Sequence, residues 1–151
     1  MSYCAIDNTT HEYYPLDDII DVAESDRLYW GAPVSTSTQV PAGSTGWTVS
    51  GKNLAVPKKG LYLVIVKAYA NITATKGRLG VRLAESGDRT VAGYAGHQQL
   101  KGGATFGFEA LMQLSAGNKK IQFYNETDAA WTVSTDQTVN SVEAILLREI
   151  E

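Results

Sequence analysis

The stretch Gly60–Ala70 constrains the fold most, because it is almost wholly apolar on both alternating faces. It follows a turn at residues 57–60 and is rich in β-branched and aromatic residues, which favour a β-strand. A strand with one face in water alternates apolar with polar residues, and this stretch does not. One face carries Leu61, Leu63, Ile65 and Tyr69, and the other carries Tyr62, Val64, Val66, Ala68 and Ala70. We therefore expect two covers, an opposing sheet on one face and another subunit on the other.

Length, charge and cysteine content exclude several classes of protein. The 151 residues suit one domain with a sizeable core. The net charge of −3 argues against a nucleic-acid binder, which needs a basic surface. No apolar run reaches the roughly 18–20 residues of a membrane span. Cys4 is the only cysteine, so there is no disulfide framework, and no signal peptide is visible. We expect assembly in a reducing cytoplasm and no membrane insertion.

Residues 1–29 differ from the rest and are predicted to form an anchoring or docking segment. The first fourteen residues are polar and without a period, which indicates an extended arm. Residues 15–24 resemble a short helix with a proline at its first position and early aspartates. Such a helix needs packing, either on its own domain or on a partner. The residues predicted to anchor the arm are Tyr13, Tyr14, Leu16, Ile19 and Ile20.

Residues 30–151 are predicted to form one all-β domain. From Leu28 onward, eight or nine short strand patterns alternate with turns rich in glycine, proline, serine and asparagine. One such turn is predicted at residues 50–53, between strands at 47–49 and 54–56. The pattern indicates a β-sandwich or barrel.

Three motifs, in order, resemble the tumour-necrosis-factor and complement globular-head superfamily. The first motif, at residues 51–64, is an apolar strand followed by a proline turn and Gly-x-Tyr. The second, at residues 112–118, is a strand that ends in leucine and is followed by a glycine turn. The third is a closing strand at residues 141–147. The resemblance implies a jelly-roll β-sandwich that assembles as a compact homotrimer and buries its third, sixth and last strands between subunits. It would supply the second cover that Gly60–Ala70 requires.

The resemblance also implies which residues meet at the threefold interface. Phe106, Phe108, Ala110 and Met112 would face the sandwich core instead. Lys67 and Glu109 would be isolated charges in an apolar interface, and we hypothesise that they pair within or between subunits. The implied interface residues are Leu63, Ile65, Lys67, Tyr69, Gly107, Glu109, Leu111 and Val142.

No catalytic or metal-binding constellation stands out, so we expect no enzyme activity, no cofactor and no metal. His97 lies in a predicted glycine-flanked loop and has no acidic neighbour in sequence. No serine occupies the centre of a Gly-x-Ser-x-Gly motif. One cysteine and two distant histidines give no zinc spacing. Four acidic residues fall in predicted loops, and we expect their side chains to be solvated and not to bind calcium. They are Asp88, Glu126, Asp128 and Asp136.

Two other features leave alternatives open. Glycosylation sequons begin at Asn8, Asn71 and Asn125 and hint at a secreted protein, whereas the missing signal peptide argues the other way. Trp47, Trp131, Tyr29 and Tyr94 could form a ligand-stacking surface, although aromatic residues more commonly lie in the core or an interface.

These observations predict a non-enzymatic homotrimeric virion protein of a bacteriophage, of the capsid-decoration or head-fibre type. The N-terminal arm would bind a capsid or other virion protein, and the distal loops would face a host-surface glycan or receptor. A phage tail receptor-binding tip is one alternative, and a secreted, extracellular cytokine-like or lectin-like ligand is another. The candidate distal-loop residues are Ser86, Asp88, His97 and Gln98.

Overall fold

The computed structural model describes residues 4–6, 13–15, 27–47, 49–84 and 90–151, with side chains from residue 31 onward except 48 and 85–90. Nearly all regular structure in these ranges is β-strand. The strands are β1 (Cys4–Ile6), β2 (Tyr13–Pro15), β3 (Arg27–Gly31), β4 (Thr38–Val40), β5 (Val49–Val56), β6 (Gly60–Ala70), β7 (Arg78–Ala84), β8 (Thr90–Gly96), β9 (Ala104–Leu114), β10 (Gly117–Asn125), β11 (Trp131–Val133) and β12 (Ser141–Glu149).

Two four-stranded antiparallel sheets form the sandwich. The front sheet has the order β3-β12-β6-β9, and the back sheet has the order β5-β10-β7-β8. Apart from the consecutive strands β7 and β8, strands that pair within a sheet are distant in sequence, so the chain crosses repeatedly between the two layers. Two smaller pairs, β1-β2 and β11-β4, lie outside these sheets. The predicted all-β jelly-roll class is confirmed.

Strand β6 is central to the front sheet, and its two faces have different surroundings. It pairs with β12 on one side and with β9 along its whole length on the other. Its even-numbered side chains, from Tyr62 to Ala70, are buried in the sandwich core. Its odd-numbered side chains, from Leu61 to Tyr69, are only half-buried. The back sheet supplies the first predicted cover, and a single chain leaves the other face partly in water.

The core lies between the sheets and consists mainly of valine, leucine and alanine side chains, with a few large aromatic rings among them. Trp131, Tyr62 and Phe123 are among its fully buried members. The Trp131 ring packs at 5.6 Å from Phe123 and 5.5 Å from Phe106. Its indole nitrogen donates a hydrogen bond to the Tyr69 carbonyl, 3.0 Å away, which satisfies the one polar atom of this buried ring. As predicted, Met112 is buried, and Phe106, Phe108 and Ala110 pack against this core.

The predicted turn at residues 50–53 is wrong, because β5 runs unbroken from Val49 to Val56. A bulge explains the turn-like composition: the pairing with β10 jumps from Lys120↔Asn53 to Gln122↔Ser50. Within the bulge the backbone has another partner, since the Lys52 amide donates to the Pro33 carbonyl at 2.7 Å. Glycine, serine and asparagine here mark a kinked strand.

The N-terminal predictions fall mostly outside the described residues. The described parts of the arm, Cys4–Ile6 and Tyr13–Pro15, pair as antiparallel strands. The predicted helix at 15–24 lies outside the described residues except Pro15, which ends β2. The front sheet begins at Arg27, before the domain boundary predicted at residue 30. The described ranges hold no helix of the length and apolarity that a membrane crossing demands.

Candidate trimer interface and surface sites

The outward surface of the front sheet, here called the front face, collects most of the predicted interface residues. The strand register aligns Leu63 of β6 with Leu111 of β9 and Ile145 of β12, which forms an apolar row across three strands. Leu111 is 65% exposed. An apolar row on an exposed sheet surface is the kind of patch that marks an interaction site. The front-face members on β6 and β9 are Leu61, Leu63, Ile65, Lys67, Tyr69, Thr105, Gly107, Glu109, Leu111 and Gln113.

Val142 does not belong to the front face, which corrects its assignment to the interface. It pairs with the core residue Val66 and is 0% exposed within the sandwich core. Side chains alternate between the two faces of a strand, so Glu143 and Ile145 occupy the front face instead. An alignment displaced by one residue reverses the facing of a whole strand.

Lys67 and Glu109 share the front face but form no ion pair with each other in one chain. Lys67 pairs in register with Gly107, and Glu109 pairs with Ile65, so the two charges are offset along the strands. The Lys67 ammonium donates to the Thr138 carbonyl at 2.8 Å. Among the described residues Glu109 forms no salt bridge. Pairing within a subunit is therefore absent here, while pairing between subunits stays a prediction.

Gly107 opens a recess in the front face. A Cβ at this position would overlap the Val66 carbonyl oxygen, and the backbone of Gly107 in turn approaches Gly93 of the back sheet. Its φ of 155° lies where side chains are rarely tolerated. A shallow cleft of about 290 Å³ lies here, bounded by residues 65–67 and 105–109. The missing side chain of Gly107 makes room for the β6 backbone, and that of Gly93 lets β8 approach the Gly107 backbone closely.

The predicted loop residues are only partly within the described structure. His97 and Gln98 belong to a single 3-10 turn, and the His97 amide donates to the Gly77 carbonyl at 3.0 Å. Ser86 and Asp88 lie outside the described residues. Of the anchoring residues, Tyr13 and Tyr14 lie in β2, and the other three are outside the described ranges.

The described loop acids each have a structural partner. Glu126 accepts from Arg78 at 3.1 Å. Hydrogen bonds from Thr75 lower the pKa of Asp128, and those from Thr138 lower the pKa of Asp136. No group of three potential metal-ligating side chains occurs among the described residues.

Asn125 begins a sequon, yet its side chain is 0% exposed. The amide nitrogen donates to the carbonyls of Val40 at 3.2 Å and Ala129 at 2.7 Å. The side-chain oxygen accepts from the Thr127 amide at 2.9 Å and the Thr127 hydroxyl at 2.6 Å. This Asn-x-Thr is therefore a buried turn that leaves no atom for a glycan, whereas Asn71 is exposed.

Aromatic side chains gather on the outward surface of the back sheet, here called the back face. Trp47 lies 4.5 Å edge-on to Tyr124 and 6.2 Å from Tyr94. Arg78 lies over the Tyr94 ring at 4.7 Å, and Arg82 over the Trp47 ring at 4.6 Å. The stacking surface predicted around Trp47 and Tyr94 thus has a partial counterpart. Trp131 instead lies in the core, the Tyr29 side chain is outside the described ones, and sequence reasoning missed Tyr124.

Comparison with known proteins identifies the fold alone. No protein-family model matches the sequence, and no curated protein sequence matches it either. Among solved structures, the chain is similar to an Eiger TNF from S. frugiperda, with a TM-score of 0.52 at 14% identity over 81% of this chain and 92% of that one. It is also similar to murine APRIL, with a TM-score of 0.53 at 13% identity over 80% of this chain and 98% of that one. The fold is a tumour-necrosis-factor-like jelly roll.

Proposed function

We propose that this protein is a non-enzymatic homotrimeric binding module whose subunits meet through the front face. The observation that carries the proposal is the apolar row of Leu63, Leu111 and Ile145 on an otherwise well-packed sandwich. Covering apolar surface contributes about 25 cal/mol for each Å² removed from water, so an exposed apolar row of this kind favours association. When each subunit uses one surface patch to contact a different patch on the next subunit, and the rotation between subunits closes on itself, the subunits form a ring. Three subunits arranged in this way would cover both faces of β6.

The charges on the front face give the trimer a specific test. If Glu109 meets Lys67 of a neighbouring subunit, Glu109→Gln leaves that ammonium with only its Thr138 carbonyl partner. Breaking one partner of a buried pair costs about 3–5 kcal/mol, so the dissociation midpoint of the trimer should fall markedly. An unchanged midpoint in a dilution or denaturant series would exclude the ion pair. Glu151→Gln, an exposed charge at the chain end, is the matched control.

The proposed setting of this trimer is a virion, most specifically as a capsid-decoration or head-fibre protein, with a tail tip as the alternative location. The β1-β2 pair supports this role because it lies outside both sandwich sheets and carries Tyr13 and Tyr14. It would hold a capsid or other virion protein while the sandwich projects. The turn at His97 and Gln98, together with Ser86 and Asp88, would then face outward toward a host-surface glycan or receptor.

Mass spectrometry of purified particles tests the virion role. We expect peptides of this chain in particles made from the genome that encodes it. Deleting residues 1–26 keeps β3 and should abolish particle binding while the trimer persists. Recovery of the chain outside particles only would overturn the virion role, and loss of the trimer on deletion would make the arm a structural strap.

A secreted cytokine-like or lectin-like ligand is the second candidate. Two observations favour it: the fold is shared with the Eiger TNF and APRIL structures, and the exposed Asn71 begins a sequon. An intact mass with a glycan on Asn71, in protein from its natural source, would support secretion and contradict the virion setting.

A further inference from the structure

The back face carries a compact cluster that lies outside the proposed trimer interface. Alternation along β7 directs Leu79, Val81 and Leu83 into the core and leaves Arg78 and Arg82 on the back face. Gly80 lies between the two arginines and pairs with Tyr124 on one side and Tyr94 on the other. This cluster, here called the aromatic cradle, therefore lies within one chain and does not depend on the proposed trimer.

Gly80 provides the space in which the cradle rings pack. A Cβ at Gly80 would overlap the Tyr124 ring and lie 2.9 Å from the Trp47 ring. Tyr124 fills this space almost completely buried, while Tyr94 stays 46% exposed at the surface. The cradle thus offers an open aromatic ring above a buried one.

The two arginines of the cradle differ in their charge partners. Arg78 forms a salt bridge with Glu126 at 3.1 Å, which neutralises it. Arg82 donates from Nε to the Gln122 amide oxygen at 2.9 Å, and among the described residues no carboxylate pairs with it. Its two terminal nitrogens form the fork that binds a carboxylate in a bidentate manner. The cradle therefore presents one uncompensated cation beside aromatic surface.

We propose that the aromatic cradle binds an acidic saccharide, with its carboxylate on Arg82 and its sugar ring against Tyr94 and Trp47. A single uncompensated guanidinium matches a ligand with isolated charges. A polyanion such as nucleic acid requires several cations in a row. Aromatic rings with polar tips suit the mixed apolar and hydroxyl surface of a sugar. The amide of Gln122 and the carboxylate of Glu126 add partners for hydroxyl groups next to the two arginines.

The Tyr124 hydroxyl is the second, independent indication of a ligand. It is buried and has no hydrogen-bond partner among the described residues. An unpaired buried hydroxyl lowers the stability of the free protein. Because this oxygen is enclosed, a sugar oxygen that accepts from it would require the side chains above it to shift, and the contact would then remove this penalty on binding. The Tyr124 hydroxyl would then strengthen ligand binding while it lowers the stability of the free protein.

A glycan array with sialylated, uronate-containing and neutral glycans tests the proposal on the full chain. We expect signal on acidic glycans only. Titration of the best acidic glycan should show at least about tenfold weaker binding for Arg82→Gln and for Tyr94→Ala. Arg82→Lys, which keeps the charge and loses the fork, should also bind more weakly. Lys59→Gln removes an exposed charge elsewhere and should bind as the wild type does.

Tyr124→Phe separates a binding role from a packing role. We expect a higher melting temperature and weaker glycan binding in the same variant. Tyr62→Phe is the control, because the Tyr62 hydroxyl already donates to the Lys58 carbonyl at 2.8 Å, so its loss should lower the melting temperature and leave binding unchanged. The proposal is overturned if no acidic glycan binds, if neutral glycans or acidic peptides bind equally well, or if Arg82→Gln binds like the wild type. Since the cradle lies within one chain, these results are independent of the oligomeric state.

Discussion

At the scale of single residues, Asn125 connects three parts of the chain. Its amide group holds the Val40 carbonyl of β4, the Ala129 carbonyl before β11, and the turn at Thr127. All four hydrogen bonds that a carboxamide side chain readily makes are formed, in a site without access to water. A sequon in the sequence is thus explained by the fold and carries no information about secretion.

Asn125→Ala should therefore be strongly destabilising. Its loss leaves several buried groups unpaired, at about 1–3 kcal/mol each, and we expect a total decrease of about 2–4 kcal/mol in the free energy of unfolding. Chemical denaturation measures this directly. Asn71→Ala removes an exposed amide and should stay within about 0.5 kcal/mol of the wild type. Equal effects of the two substitutions would contradict the buried network.

Tyr124 predicts a specific dependence of stability on pH. Burial raises the pKa of Tyr124 from its ordinary 10.0 to about 12, against the opposing charge of Arg78. The folded state thus holds the phenol proton more tightly than the unfolded state. Its contribution is fully present below pH 10 and is lost as pH rises through about 12. Between pH 9 and 11.5, the wild type should lose stability faster than Tyr124→Phe, and parallel curves would contradict the raised pKa.

At the scale of elements, the amino-acid pattern was sufficient wherever a strand had a regular period. The two apolar faces of β6 follow from alternation alone, whereas the core-facing Met112 and Phe108 of β9 were assigned through the family resemblance. The predictions failed at two residues, Gly51 and Val142, whose sequence context is compatible with more than one structure. Gly51 belongs to a bulge in β5, which has the same composition as a turn. Val142 was assigned by motif alignment, and β12 has a bulge of its own near Leu146.

Gly107 tests how β6 and β9 are held together. Gly107→Ala would force a Cβ into the Val66 carbonyl in an unfavourable backbone conformation, so we expect a loss of about 2–4 kcal/mol in unfolding free energy. Gly46→Ala is the control, because no atom lies within 4 Å of its added Cβ. Thermal or denaturant unfolding of both variants measures the difference. A stable Gly107→Ala protein would show that the close approach is not required.

At the scale of the whole molecule, sequence reasoning reached the class of fold and the need for a second cover on β6. It did not assemble the aromatic cradle, because Trp47, Arg82, Tyr94 and Tyr124 come from distant parts of the chain and meet only when β7, β8 and β10 pair. Tyr124 lies in β10 directly after the core residue Phe123, and its sequence neighbours do not distinguish it from a core residue. The position of Gly80, which pairs with both Tyr124 and Tyr94, provides the space in which the Tyr124 ring packs on the back face.

The mass of the protein in solution tests the central claim, that the front face joins three copies of the chain. Light scattering coupled to size exclusion should give three times the chain mass of 16.3 kDa. Leu111→Glu places a charge on the most exposed apolar front-face residue and should shift the population toward single chains at micromolar concentration. Ala55→Glu makes the same kind of change on an exposed position of the back sheet and should leave the trimer intact. A single-chain mass for the wild type, or a trimer that Leu111→Glu leaves unchanged, would contradict the account.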